Sequence, residues 1–282
     1  MKTPERLEPL MADGLIDTVV RQLMSGKEAM VFVVRNGDEV LCAKVYKEAN
    51  KRSFRQAVDY TEGRKVKNSR RARAMEKGSR YGRQEQEQAW QNAEVDALHR
   101  LAAAGVRVPR PYNFLEGVLL MELVTDAEGN AAPRLNDCDF TPEEARAHHA
   151  SLLTEVVRML CAGVVHGDLS EFNILLSADG PVIIDLPQAV DAAGNNHASR
   201  MLLRDVDNLR DFFGRSAPEL LDTDYAREIW SLYAGGLLRT DTPLTGRYER
   251  PTGKVDLGGV MREIDDARAE EAERRLRQTT PF

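Results

Sequence analysis

Between residues 164 and 176 the chain reads VVHGDLSEFNILL, and no other stretch limits its fold as strongly. Two apolar runs enclose His166, Asp168 and Asn173, so a polar loop has to sit between two buried elements. A second apolar segment, PVIID (181–185), follows a turn at Ser177–Gly180. The short hairpin 174–184 can fold back and bring Asn173 towards Asp185, which the pattern places at the end of its strand. A carboxylate and an amide oxygen converging beside a second carboxylate, Asp168, form a site for a hard cation. Mg²⁺ suits such a site because it takes few protein oxygens and completes its shell with phosphate and water. Asp168 is then left to orient a hydroxyl or accept its proton.

The matching cation lies upstream. AMVFVVR (29–35) and EVLCAKVY (39–46) are rich in β-branched and apolar residues and flank Asn36-Gly37-Asp38, a strong hairpin signal. Strand alternation puts Val40, Cys42, Lys44 and Tyr46 on one face. RQEQEQAWQNAEVDALHRLAAAG (83–105) reads as a helix stopped by Gly105. On it Trp90, Glu94, Ala97, Leu98 and Leu101 share a face by their spacing of three and four. Glu94 therefore points with apolar residues at the core and needs a cation there. Lys44 is the economical partner, although a lysine on a solvated strand face is the ordinary alternative.

YNFLEGVLLMELVT (112–125) reads as two strands around Glu116-Gly117, which closes a small, mostly β unit over residues 1–125. The turn-rich segment 125–139 is read as a linker. FTPEEARAHHASLLTEVVRMLCAG (140–163) carries a Thr141 cap, Pro142 at the first helical position and Glu144 three after the cap, with Gly163 as the stop. Helices are expected over 199–213, 216–237 and 257–279, so residues 126–282 form a mainly helical unit with a small hairpin set into it. The expected class is α+β with two lobes, and no internal repeat is visible.

Composition adds limits. Hydrophobic content of 42% and charged content of 30% suit a soluble globular chain. No run approaches the about 18 apolar residues of a membrane helix, and the polar, acidic MKTPERLEPLMADG is unlike a signal peptide. Cys42, Cys138 and Cys161 are far apart and without metal-ligand spacing, so reduced thiols and a cytoplasmic location are expected. The net charge of −6 is uneven: residues 51–83 hold twelve basic and three acidic residues, a net of +9 that leaves −15 elsewhere. Such a block, read as a flexible insertion over 47–83, attracts phosphates or acidic partners.

The ordered set of a strand lysine, a helix glutamate, H-x-D-x-x-x-x-N and a later aspartate reads as a kinase-like phosphotransfer site. SGKEAMVF, LCAKVY, VVHGDLSEFNILL, VIIDLPQAV and RDVDNLRDFF together resemble the RIO family of atypical protein kinases, most closely its type-one branch. HGDLSEFN is similar to that family's HADLSEYN, and YKEANKRSF with its basic continuation resembles the family's flexible loop. The resemblance implies a reduced two-lobed protein-kinase-like fold that uses ATP with Mg²⁺ or Mn²⁺. It implies that Ser25, Gly26, Lys27 and Glu28 form the phosphate-covering turn, and that Lys44 contacts phosphates and pairs with Glu94. It further implies Asp168 as catalytic acid/base and Asn173 and Asp185 as metal ligands. Glu122 and Val124 would offer backbone groups to adenine, with Met121 gating the pocket that Val31 and Cys42 line.

Departures from ordinary kinases accompany the resemblance. There is no G-x-G-x-x-G and no G-x-x-x-x-G-K-[ST], Asp185 opens DLP in place of DFG, and no APE follows. The segment from Asp185 to the next helix is too short for a full activation loop and peptide-docking subdomains. The family is also discussed as an ATPase that carries a phospho-aspartate on the residue matching Asp185. Two alternatives stay open: a small-molecule kinase of the aminoglycoside or choline type, which also carries HGD, and a non-catalytic binding module. Self-phosphorylation on Ser53, Thr61, Ser69 or Ser79 is expected beside a protein substrate. A ribosome-related or acidic partner could engage window 51–83, although no aromatic stacking platform accompanies it. His148 and His149 are expected on a solvated helix face, Trp90 in the core or beneath the insertion, and the C-terminal charged segment as an exposed helix.

Overall fold

The computed structural model describes residues 5–26, 29–47 and 80–249, with side chains in the last span from residue 91 onward. Lys27, Glu28, the basic window up to residue 79 with its four hydroxyl residues, the Trp90 side chain and the segment 257–279 lie outside the described residues.

The first lobe is built on five antiparallel strands, β1 (Thr18–Ser25), β2 (Ala29–Asn36), β3 (Glu39–Tyr46), β4 (Pro111–Leu115) and β5 (Val118–Glu122), in the order β1-β2-β3-β5-β4. Asn36 pairs with Glu39, so Gly37 and Asp38 make a two-residue turn, and the φ of +57° at Gly37 explains the glycine. The hairpin β4–β5 turns at Glu116 and Gly117, both with positive φ. Alternation gives the sheet two different faces. One carries Phe32, Val34, Leu41, Ala43, Val45, Val118 and Leu120, covered by Leu7, Leu10 and Ile16 around the short helix α1 (Glu8–Ala12). The other carries Ala29, Tyr46 and Leu119, which join Val95, Leu98 and Leu101 of helix α2 (Arg80–Ala103) and the core of the second lobe.

The second lobe starts with helix α3 (Pro142–Cys161). The Thr141 hydroxyl accepts from the Glu144 N–H at 3.3 Å, and the Glu144 carboxylate accepts from the Thr141 N–H at 2.9 Å. Helices α4 (Ala198–Phe213) and α5 (Tyr225–Ala234) pack against it. Two small ladders complete the lobe: β6 (Val164–Val165) with β9 (Val190–Asp191), and β7 (Ile174–Ser177) with β8 (Gly180–Ile183). Among the described residues no helix is long and apolar enough to cross a membrane.

Three expectations need correction. The segment 216–237 is not one helix: a 3₁₀ turn over Pro218–Asp222 gives way to extended Thr223, and α5 starts afresh with Asp224 accepting from the Arg227 N–H. His149 is not solvated. It is 2% exposed between the rings of Phe213 and Tyr225, because it shares a face with Ala145, Leu152, Leu153 and Val156. Burial, with the Arg210 charge, pulls its pKa down to about 4. Asp185 does not end a strand; β8 stops at Ile183, and Asp185 sits beyond it in the left-handed region at φ +66°. The unforeseen elements include α1, β1, β9 and the 3₁₀ turn Leu135–Asp137, with β1 an exposed edge strand that has two register shifts against β2.

Candidate active site

Lys44 lies on β3 with Val31 opposite it on β2 and Leu119 opposite it on β5. Cys42, two residues back, faces Val33 and Met121. Val31, Cys42, Lys44 and Met121 thus line one sheet face. Burial pushes the Cys42 thiol up to about 12, partly offset by the Lys44 charge, which leaves it an inert apolar wall. The Lys44 ammonium donates to Glu94 Oε1 at 2.5 Å and to Asp185 Oδ1 at 2.8 Å. Tyr46 completes the pair by donating to Glu94 Oε2 at 2.7 Å. Burial disfavours the charged ammonium, but Glu94, then Asp185 and Tyr46, outweigh it and hold the Lys44 pKa well above its ordinary value. The buried glutamate read from helix spacing therefore has two donors, one of them not foreseen.

The loop after β6 is held from behind by one face of α4. The Asp205 carboxylate accepts from the Gly167 N–H at 2.7 Å and the Leu169 N–H at 3.0 Å. Arg204 donates to the Gly167 carbonyl, and the Asn208 amide donates to the Leu169 carbonyl at 2.9 Å. Gly167 has φ +82°, a conformation open to glycine at little cost, so its place in the motif has a backbone reason. Burial raises the Asp205 pKa to about 7, with Arg204 and the two N–H donors acting the other way. His166 is buried and pairs through Nε2 with the Ile184 carbonyl at 3.0 Å, a strut behind the loop; burial lowers its pKa, with the Ile184 carbonyl and Asp185 acting the other way. With its neighbours pinned on both sides, Asp168 turns outward and is exposed. The desolvation of its carboxyl raises its pKa, against Arg204, and nearby Asp185 raises it further.

Asn173 and Asp185 approach through the backbone, since the Ile184 N–H donates to the Asn173 carbonyl at 3.0 Å. The Asn173 amide nitrogen donates to the Asp168 carbonyl at 2.8 Å, which leaves the amide oxygen for another partner. An amide oxygen beside a carboxylate is a donor set that fits a hard divalent cation. Burial would raise the Asp185 pKa, yet Lys44, then His166 and Arg134, bring it below the ordinary range, so the carboxylate is ionised as a ligand must be.

The remaining residues singled out in the sequence sit around this centre. The Glu122 N–H donates to the Arg110 carbonyl and the Val124 carbonyl accepts from Ala132 N–H. The groups needed at an adenine edge, the Glu122 carbonyl and the Val124 N–H, are not the ones used in those bonds. The Glu122 side chain turns away to Arg107. Ser25 and Gly26 form a turn closed by the Gly26 N–H on the Ala29 carbonyl at 2.9 Å. Lys47, not foreseen, braces that turn by donating to the Gly26 carbonyl at 2.5 Å and to Ser25 Oγ at 3.2 Å. Tyr46 and Asp205 carried sequence signals, the first by sharing the Lys44 face and the second by its place in RDVDNLRDFF.

The sequence profile of the RIO domain matches residues 30–226. The chain is 36% identical over 217 residues to the RIO-type serine/threonine-protein kinase Rio1 of Haloferax volcanii, covering 74% of this chain and 68% of that one. It is 31% identical over 216 residues to the protein of the same name in Methanocaldococcus jannaschii, covering 76% and 69%. With the serine/threonine-protein kinase rio1 of Schizosaccharomyces pombe it shares 32% over 215 residues, which is 73% of this chain but only 40% of that one. Among solved structures, the Rio2 kinase of Chaetomium thermophilum superposes with a TM-score of 0.56 at 21% identity, over 95% of this chain and 77% of that one. Its ADP/Mg²⁺-phosphoaspartate complex gives 0.53 at 20%, over 95% and 75%. These likenesses show the fold: a reduced, two-lobed, protein-kinase-like architecture.

Proposed function

Because the chain belongs to the RIO family, in its type-one branch, we propose that it is an atypical serine/threonine protein kinase, which moves the γ-phosphoryl group of ATP to a hydroxyl, its own included. One observation carries this: Lys44 reaches both Glu94 on the helix of its own lobe and Asp185 on the other lobe, beside an outward-facing Asp168. Besides the buried Glu94 partner, this supports a site in which Lys44 lies beside two carboxylates of different basicity, Asp185 with its pKa lowered and Asp168 with its pKa raised, the separation that phosphoryl transfer uses.

In this proposal adenine lies against Val31, Cys42 and Met121, with the Glu122 carbonyl and Val124 N–H on its edge. Ser25 and Gly26, together with Lys27 and Glu28, cover the phosphates, and Lys44 neutralises them. Asn173 and Asp185 hold Mg²⁺, or Mn²⁺ in its stead. When bound, the ion neutralises charge building on the phosphate oxygens. Asp168, its carboxyl more basic than usual, orients the acceptor hydroxyl and takes its proton as the oxygen bonds to the γ-phosphorus and the bond to ADP breaks. The chain divides for this purpose into residues 1–125 and 126–282, works in the cytoplasm, and uses window 51–83 for an acidic or ribosome-related partner.

A second reading has Asp185 itself accept the phosphoryl group and release it by hydrolysis, an ATP-driven switch. It is favoured by the 43% exposure of that side chain within the cleft. Incubation with γ-labelled ATP and Mg²⁺ tests both. The kinase predicts acid-stable, hydroxylamine-resistant label on protein, lost in Asp168→Asn while ATP binding remains. Label that hydroxylamine removes, with steady phosphate release, selects the switch. Label appearing only on an added small alcohol or sugar refutes both.

A further inference from the structure

Arg134 carries a charge that the proposed chemistry leaves unused. Its backbone is fixed in the second lobe: residue 134 bridges Leu175, two positions past Asn173, and the Leu176 N–H donates to the Pro133 carbonyl at 2.8 Å. The Arg134 carbonyl accepts from the Asp137 N–H at 2.9 Å. From this anchor the side chain crosses to the first lobe. Its Nη2 lies 3.0 Å from Met24 Sδ, beside the Ser25–Gly26 turn. Its charge is also felt at Asp185, after those of Lys44 and His166 and against burial. The guanidinium therefore lies against Met24, next to the Ser25–Gly26 turn, on the side from which its charge reaches Asp185.

Among the described residues Arg134 forms no ion pair within 4.0 Å. A thioether is a weak acceptor. Five donors in a planar fork, beside the Ser25–Gly26 turn and answered by one sulfur, match the oxygens of a phosphate group. We propose that Arg134 is a second phosphate-binding cation, donating to the nucleotide's phosphate chain from the helical lobe while Lys44 holds it from the sheet. This rests on the cleft being a nucleotide site. It assigns Arg134 a role in affinity for the charged part of the ligand and none for the base.

Calorimetry on the full chain with Mg·ATP and with adenosine separates the two. Arg134→Met should bind Mg·ATP about tenfold more weakly and adenosine within twofold of wild type, which also shows that the variant is folded. The salt dependence of ATP binding should become shallower. Arg134→Lys, which keeps the charge and loses the fork, should fall between the two. Unchanged ATP affinity in Arg134→Met overturns the inference and leaves the proposed function standing. If Arg134→Met loses adenosine as well, Arg134→Lys decides: weaker ATP with normal adenosine supports the role, and normal values for both refute it. A Met24→Ala variant that reproduces the ATP loss makes the arginine a strut between lobes and overturns the inference. Wild-type protein that binds no ATP removes the inference together with the function it rests on.

Discussion

The Tyr46 hydroxyl donates to Glu94 at 2.7 Å, on the carboxylate oxygen that Lys44 leaves open. Glu94 is 4% exposed, so both of its oxygens depend on these two donors. Tyr46→Phe strands one of them at a cost of about 1–3 kcal/mol. Urea denaturation should show that loss. The autophosphorylation rate should fall about tenfold as Glu94 no longer fixes Lys44. Equal midpoints and equal rates would remove Tyr46 from the site.

Lys44 and Glu94 act as one unit. Lys44→Met and Glu94→Gln should each cut the rate severely, and the double variant should be no slower than the worse single one. Rate losses that multiply would mean that the 2.5 Å contact has no part in turnover.

Asp205 supports the loop without reaching the cleft. An amide offers one acceptor oxygen where the carboxylate offers two, so Asp205→Asn leaves the Gly167 or Leu169 N–H unserved. The expected result is a kcat lower by about ten- to a hundredfold with little change in KM for ATP, since a misaligned Asp168 affects the chemical step. A rise in KM alone would contradict it.

His149 gives the fold an acid-sensitive window. In the unfolded chain this histidine takes its proton near 6.5, and in the folded chain only near 4. Between those values the unfolded state binds more protons, so stability falls as pH drops through the window, by about 3 kcal/mol in full. His149→Phe should remove that component. The stability difference between wild type and variant, followed by denaturant melts from pH 7.5 to 4, should drift by that amount, and a constant difference would rule it out.

Local chemistry made much of this readable in the sequence. Asn36-Gly37-Asp38 and Glu116-Gly117 marked both hairpins because their backbone angles suit few residues. The Thr141–Glu144 box marked a helix start, and the buried face of α2 exposed Glu94 as a carboxylate in need of a cation. What escaped depends on distant partners. β1 shows mostly exposed residues and no clean alternation, since only one neighbour and bulged pairing define it. Asp205 looks like one more acid on a charged helix until the loop folds over it. His149 lies on the apolar face of α3, where Ala145 and Leu152 could have flagged it, but the adjacent His148 and Arg146 suggest a wet surface. The break at Pro218–Asp222 was hidden by apolar residues on both sides of it.

The two faces of the five-stranded sheet bear on how the molecule comes apart. The outer face has a small core of its own beneath α1, whereas Tyr46 and Leu119 on the inner face belong to the same apolar cluster as Leu152, Ile174 and Leu202. The lobes therefore share an interior rather than merely touching. A fragment ending near residue 125 would leave Ala29, Tyr46, Val95, Leu98, Leu101, Val106, Val108 and Leu119 facing water, and the remaining piece would lose the cover they give its larger share of the cluster. Unfolding should be a single cooperative event, with no autonomous sheet domain surviving as an intermediate, and nucleotide bound in the cleft would stiffen a seam that is already continuous.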